Sequence, residues 1–343
     1  MTIKTLIITL SILAIANACS ITPYRAGIDL TRKQDEPKIK TVKSDQLIVL
    51  ISKPGDTLKS LAQKHLGDKN KDWLIADFNN IEKIIPGIEI IIPLQEYNAV
   101  GISNKGIQSV PILCYHRFGD NHGKMSVPTS LFRQQMKYLH DNNYRVISLK
   151  DAIGFFNGKM SIPKRSVVIT IDDGYRSNYS EAFPIFKEFN FPATIFLYSD
   201  FLGAPDALTS EQIKTMYNSG LIDFQPHSKT HPNLAIRKDN ESINDYQNRL
   251  DDEINTPKRR IQKIIDTDIF SFAYPFGDTN DIVINKLKSK HFAIAATVQP
   301  GSNTAYSSQY MLRRTMIFGD HTEKEFIATL EVSEKYNLQR EHK

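Results

Sequence analysis

Apolar positions along this chain change their spacing from one region to the next. Leu6 to Ala16 is an apolar run, broken only by Thr9 and Ser11, close behind Lys4. Residues 19–45 are polar and charged, with neither the two-residue period of a strand nor the 3.6-residue period of a helix. From residue 46 onward, short apolar runs alternate with polar segments and turn signals.

The segment 46–94 predicts a small βααβ unit. Gln46 to Ile51 is a short apolar strand, and Pro54-Gly55-Asp56 turns the chain. Asp56 or Thr57 caps a helix with Leu58, Leu61 and Ala62 inward. Trp73, Ile75, Ala76 and Phe78 suit a second helix that ends near Asn79-Asn80. Pro86-Gly87 leads into the strand Ile88 to Ile92, closed by Pro93. Residues 95–109 are polar, contain Gly101 and Gly106, and read as a linker.

From 110 to 336 the element types alternate. Strands are predicted at Ser166–Ile171, Ala193–Tyr198, Ile222–Phe224, Phe270–Tyr274 and Phe292–Thr297. Helices are predicted at Tyr179–Phe189, at Ser210–Asn218 with Gly220 as stop, and at Ile243–Ile265 with a break or kink at Pro257. This order is that of an α/β fold, a parallel sheet with helices outside, closed into a distorted (β/α) barrel. Residues 337–343 are a tail.

Charge excludes one class of partner. The net charge of +5 over 343 residues is mild and unclustered. Nucleic acid, which calls for a concentrated basic stripe, is not expected as a partner. The N-terminus is more informative. Lys4, the apolar run and Ala16-Asn17-Ala18 make residues 1–18 a secretory signal, too short to span a bilayer comfortably. An ordinary signal peptidase would accept Ala-x-Ala. Cys19 directly after it resembles a bacterial lipobox, which implies a lipidated Cys19 and a membrane anchor, with 19–45 as tether. Ser20 then points to the outer membrane of a two-membrane bacterium, and the protein is expected in the envelope, outer membrane or periplasm. Cys114 is left without an intrachain partner and reads as a small buried residue.

The candidate chemistry lies at predicted strand ends, where αβ barrels place their active sites. Thr170-Ile171-Asp172-Asp173-Gly174-Tyr175 follows one strand, and His227-Ser228-Lys229-Thr230-His231-Pro232 follows another. A hydrolytic zinc site takes three protein ligands and keeps one position open for water. Asp173, His227 and His231 supply that number and leave Asp172 free beside it. Pro226 and Pro232 bracket the histidines, so a loop with a single turn is expected there. The ligand set accepts zinc first, and also cobalt or nickel.

Two resemblances follow from these residues. Gly55-Asp56-Thr57-Leu58, Leu61-Ala62, Asn79 and Pro86-Gly87 before Ile90-Ile91-Ile92-Pro93 resemble a LysM domain. That implies binding to peptidoglycan or another N-acetylglucosamine polymer. Residues 110–336 resemble a polysaccharide deacetylase of the NodB-homology type, carbohydrate esterase family four. Thr170-Ile-Asp-Asp-Gly matches the first motif, His227-Ser228-x-x-His231-Pro232 the second, and Phe272-Ala273-Tyr274-Pro275-Phe276-Gly277 a variant of the third. Pro111-Ile-Leu-Cys-Tyr-His116-Arg117-Phe118 resembles the opening motif of deacetylases acting on poly-β-1,6-N-acetylglucosamine in biofilms. His291 and His321 lie late in the chain, but their surroundings do not fit the late histidine of other members.

The resemblance implies a division of roles: Asp172 as general base, His116 as general acid, the Tyr175 backbone N–H as oxyanion donor, and Tyr274, Pro275 and Phe276 at the substrate. The arginine that usually tunes the catalytic Asp is missing from the third motif. Arg313 or Arg314 could take its place, although their ordinary reading is surface charge. The implied activity is metal-dependent removal of acetyl groups from N-acetylglucosamine residues of an envelope or extracellular polysaccharide. The competing readings are an inactive wall-binding lipoprotein and a hydrolase of another amide or ester.

Overall fold

The βααβ order predicted for 46–94 is what the chain adopts, with local signals fixing each boundary. A computed structural model describes residues 41–103, 106–120 and 123–334. The predicted secretory signal, Cys19, most of the predicted tether and the predicted tail lie outside the described residues. The tether's last residues contribute an edge strand, β1 (Val42–Lys43), antiparallel to β2 (Leu47–Ile51). Helix α1 (Leu58–Leu66) starts at Thr57, whose hydroxyl accepts from Ser60 N–H while the Ser60 hydroxyl accepts from Thr57 N–H. This reciprocal cap satisfies two amide donors that helix geometry leaves free. Helix α2 (Asp72–Asn79) leads to β3 (Glu89–Pro93), which pairs antiparallel with β2. Asn79 ties the two together: its amide donates to Ile75 O and Ile91 O and accepts from Ile91 N–H. Ile48, Leu50, Leu61, Ala62, Ile75, Ile90 and Ile92 form the small core.

The predicted linker is shorter than its composition suggests. Strand β4 (Ile102–Ser103) folds back on β5 (Gly106–Tyr115), which begins ahead of the expected boundary at 110. β5 then runs into the barrel. Its parallel neighbours are β6 (Ser166–Ile171), β7 (Ala193–Leu197) and β8 (Ile222–Pro226) in that order. Strands β9 (Ser271–Ala273) and β10 (Ile294–Ala296) form a second parallel pair. Strand β11 (Thr315–Met316) returns alongside β5, and Ala296 bridges to Leu312 just before it. Helices α3 (Thr129–Asp141), α4 (Leu149–Phe156), α5 (Phe183–Phe189), α6 (Ser210–Asn218), α7 (Ile243–Ile264) and α8 (Asp281–Ser289) alternate with these strands. The fold is the expected α/β barrel in a distorted form.

The distortion sits between β8 and β9, which share no strand ladder. A buried side chain fills the seam. Gln225 Oε1 accepts from Phe270 N–H and Ser271 N–H at 3.0 and 3.1 Å, and its amide donates to Asp268 O at 2.9 Å. Buried backbone donors need partners, and Gln225 supplies what a neighbouring strand would have supplied.

Pro257 does not break α7, contrary to the sequence pattern. The helix runs unbroken, with Tyr246, Leu250, Glu253, Ile254, Pro257 and Ile261 on its buried side. A proline removes one intrahelical donor, and burial of this continuous stripe outweighs that loss.

The βααβ unit is fastened to the barrel. Arg145 grips Asp72 with two hydrogen bonds of 3.0 Å, and Lys164 donates from its backbone to the Asp77 carboxylate and from Nζ to Asp77 O. Arg145 begins a short strand that pairs with Ser166 and Val167, the start of β6. Asp172 follows the other end of β6. Six residues at roughly 3.3 Å each put the unit about 20 Å from the candidate site, at the opposite mouth of the barrel.

Candidate active site

The carboxyl ends of the parallel strands converge on one pocket. His116 follows β5, Asp172 and Asp173 follow β6, and His227 follows β8. Asp172 N–H still donates to Tyr115 O, prolonging the ladder by one residue. Asp173 then turns with φ 74° and Gly174 with φ 83°. A side chain at Gly174 would meet Leu197 at 2.4 Å, so the turn requires glycine.

Asp173, His227 and His231 meet as predicted. Asp173 Oδ1 lies 3.7 Å from His227 Nε2 and 3.4 Å from His231 Nε2. The histidines stand in a loop rather than a helix, with Ser228 and His231 at positive φ and His231 N–H donating to Ser228 Oγ. His227 Nδ1 is 2.8 Å from Ala273 O. A carbonyl only accepts, so Nδ1 carries the proton and Nε2 presents a lone pair to Asp173. Burial drives the His227 imidazole down to about 3 and also lowers His231, so both are neutral donors.

These residues fit a divalent metal. One oxygen, one ligand nitrogen from each histidine, and mutual distances within 4.8 Å make a three-point cradle. Asp173 Oδ1 is buried and, among the described residues, has no hydrogen-bond partner. Such an orphan is costly unless a cation meets it. Burial, with Asp172 alongside, pushes the Asp173 carboxyl up to about 6 against the pull of His116, Tyr175 and Arg117.

Asp172 faces a different environment. Both its oxygens are held by Arg314, at 2.7 Å from Nη1 and 2.8 Å from Nη2. Cys114 Sγ lies 3.5 Å from Oδ2. Burial alone would raise this carboxyl, but the Arg314 guanidinium, through its charge and its hydrogen bonds, outweighs burial and holds it well below the usual carboxylate range. Arg314 is wholly buried and also donates to Thr170 Oγ1 and Thr297 O. The surface reading of Arg314 is therefore wrong. Arg313 does lie at the surface, with its guanidinium on Pro300 O. Sequence spacing names Arg314 as a candidate but carries no sign of this pair, whose members are 142 residues apart.

His116 stands close to Asp172, within the 4.8 Å cluster that also includes Cys114. Burial lowers its imidazole, with the two carboxylates opposing. His116, Arg117, Lys124, Met125, Asp173 and Tyr175 line a cavity of about 240 Å³. Tyr175 lies opposite Ala207 in a bridge whose hydrogen bonds run through its neighbours, Arg176 N–H to Asp206 O and Leu208 N–H to Gly174 O. The bridge thus leaves the Tyr175 N–H without an acceptor among the described residues. Arg117 stacks 3.8 Å over the Tyr175 ring and pairs with Asp206.

The third motif needs correction. Tyr274 is fully buried and its hydroxyl donates to Tyr310 O, and Pro275 is buried too. Neither side chain can touch a polymer. Phe276 is 61 % exposed at φ 62°, its ring 4.9 Å from that of His231. It alone of the three offers a face at the site.

The chain is similar to known proteins over this same region. A family model described as polysaccharide deacetylase matches residues 159–295. The poly-β-1,6-N-acetyl-D-glucosamine N-deacetylase of Staphylococcus epidermidis is 30 % identical over 202 residues, 57 % of this chain and 69 % of that one. A polysaccharide deacetylase structure from Bacillus cereus superposes with a TM-score of 0.57 at 25 % identity, covering 74 % of each chain. The fold is also that of a Streptococcus pyogenes deacetylase solved with acetate, at TM-score 0.58 and 24 % identity over 65 % of this chain and 98 % of that one.

Proposed function

This chain belongs to the polysaccharide deacetylase family, and on that premise we propose that it removes acetyl groups from N-acetylglucosamine residues of an extracellular or envelope polysaccharide. Poly-β-1,6-N-acetylglucosamine is the substrate we favour, by analogy with the Staphylococcus relative and from the early position of His116. One observation carries the reading: two adjacent aspartates are held in opposite ways. Arg314 occupies both oxygens of Asp172, while Asp173 turns an unpartnered oxygen toward two neutral imidazoles.

Asp173, His227 and His231 would hold the metal, zinc by donor type, with cobalt or nickel compatible. When bound, that ion supplies Lewis-acid polarisation of the acetamide carbonyl and a more acidic water. Asp172 takes a proton from the attacking water. Arg314 keeps the carboxylate ionised and aimed, and makes it a poor holder of the proton it gains. His116, neutral through burial, stands next in line to receive that proton and pass it to the amine as the carbon–nitrogen bond breaks. The Tyr175 N–H would hydrogen-bond the developing oxyanion, a contact worth roughly 3 kcal/mol where such donors are measured. Acetate leaves, and the glucosamine amine is exposed.

We assign the βααβ unit as LysM-like and give it a tethering role on peptidoglycan, supported by the fit of its sequence to that pattern. Cys19 would carry a lipid that fixes the protein in the cell envelope, at the outer membrane or in the periplasm. Because the unit docks at the mouth opposite the site, it would park the enzyme while a different chain is deacetylated. Acetate release from poly-β-1,6-N-acetylglucosamine, chitooligosaccharides and peptidoglycan, each with and without a chelator, tests the reading. Chelator-sensitive release from the β-1,6 polymer above the others is expected. Release that ignores the chelator would overturn the metal assignment.

A further inference from the structure

The loop between His227 and His231 is held from behind by a buried acid. Glu253 lies on α7, about 5 % exposed. Its Oε2 accepts from Lys229 N–H at 2.9 Å and Thr230 N–H at 3.0 Å, and its Oε1 accepts from the Thr230 hydroxyl at 2.7 Å. The donors come from two of the three residues between the histidines. The loop needs such an anchor, because Ser228 and His231 both sit at positive φ, at 70° and 62°. Non-glycine residues hold such sparsely populated backbone only when their surroundings over-determine it. Ser228 Oγ fixes one side of the turn, through His231 N–H. Glu253 fixes the other.

We propose that Glu253 is a positioning residue for the metal site, and that through Lys229 and Thr230 it sets the placement of the His231 imidazole relative to His227. The inference rests on the ligand assignment of the proposed function. A carboxylate suits the task for a chemical reason: it accepts only, and all three groups facing it donate. An amide in its place would turn an NH₂ toward at least one of those donors. Glu253 touches neither ligand ring, so its effect is on geometry and not on metal bonding. The neighbouring Asp252 provides a contrast on the same helix. It binds the half-buried Lys229 side chain at 2.7 Å and, among the described residues, no backbone of the loop.

Zinc affinity by chelator competition and the visible spectrum of the cobalt-substituted protein test this on the full chain. Glu253→Gln should raise the zinc Kd roughly 10–100-fold, the usual cost of disturbing an outer-shell partner, and shift the cobalt bands. Asp252→Ala should change neither. Folded Glu253→Gln protein with wild-type Kd and cobalt spectrum would overturn the proposal. Should that variant fail to fold, Thr230→Val decides. It removes only the hydroxyl donor, and a Kd raised by a few-fold supports the role while an unchanged Kd sinks it. Wild-type protein that binds neither ion would instead sink the ligand assignment itself, so the two failures read differently.

Discussion

The βααβ unit and the barrel site solve different problems with the same elements. In the unit, the parts that fix the fold are close in sequence. Thr57 and Ser60 cap one helix, Asn79 joins its own helix to a strand twelve residues on, and a handful of aliphatic side chains fill the core. In the barrel, the parts that fix the chemistry are far apart. Asp172 finds Arg314 across 142 residues, and His227 is oriented by a carbonyl 46 residues away. The unit can therefore be read by local rules, whereas the site exists only once the barrel closes. Damage to the site should abolish chemistry without touching the unit, and damage to the unit should do the reverse.

The largest expected effects lie in the barrel. Asp172→Asn should lower acetate release by roughly 10²–10⁴-fold, the usual share of a placed acid or base, with metal content by elemental analysis unchanged. Asp173→Ala should lose metal and turnover together. If both variants lose metal equally, the division of labour between the aspartates is wrong. Arg314→Met leaves Asp172 buried without its cation. Breaking one side of a buried pair costs about 3–5 kcal/mol, so the thermal midpoint should drop clearly. An unchanged midpoint would mean that the pair is not formed.

In the unit, Leu61→Ala removes a nearly fully buried side chain. It should cost about 2–5 kcal/mol and unfold the unit, yet leave zinc affinity at the barrel intact. Loss of zinc binding there would show the two regions to be one cooperative block and weaken the contrast.

Acid should separate them further. The Asp173 carboxyl, raised to about 6 by burial, holds a proton that a metal must displace. Zinc affinity should then fall roughly tenfold for each pH unit below that value. His227, pushed down to about 3, adds nothing in this range. The sign for stability is opposite. The metal-free fold binds this proton more tightly than the unfolded chain, so its stabilising share is full at low pH and fades as pH rises through about 6. Chelator competition and melting of metal-free protein across that range check both slopes. The smallest effect belongs to the seam between the regions. A double-mutant cycle on Asp72 and Arg145 should give a coupling of about 1 kcal/mol; zero coupling would leave the fastening to Lys164 and Asp77.

Much of this was open to reading along the chain. The Ser166–Ile171 strand and the Ser210–Asn218 helix form as the periodicity predicts. So does the loop between Pro226 and Pro232, because two prolines restrict the backbone wherever they stand. Tyr274 shows a missed inference. It lies two residues from Phe272, hence on the same strand face, and both rings pack in one core. Period two alone would have placed it inside rather than at the substrate. Gln225 gave no such signal, since nothing in a strand pattern tells a seam-filling amide from an ordinary polar residue.

By itself, the sequence determined what is local: which segments are strands and helices, where caps and turns fall, and that acids and histidines follow strand ends. Those features depend on backbone sterics and on hydrogen bonds between near neighbours. The tertiary structure alone decided how the two aspartates differ. Their order in the chain is symmetrical to local rules, and only closure of the barrel brings a buried guanidinium to Asp172 and withholds any donor from the Asp173 oxygen that faces the histidines. Burial makes that difference large, because charge interactions strengthen where water is excluded.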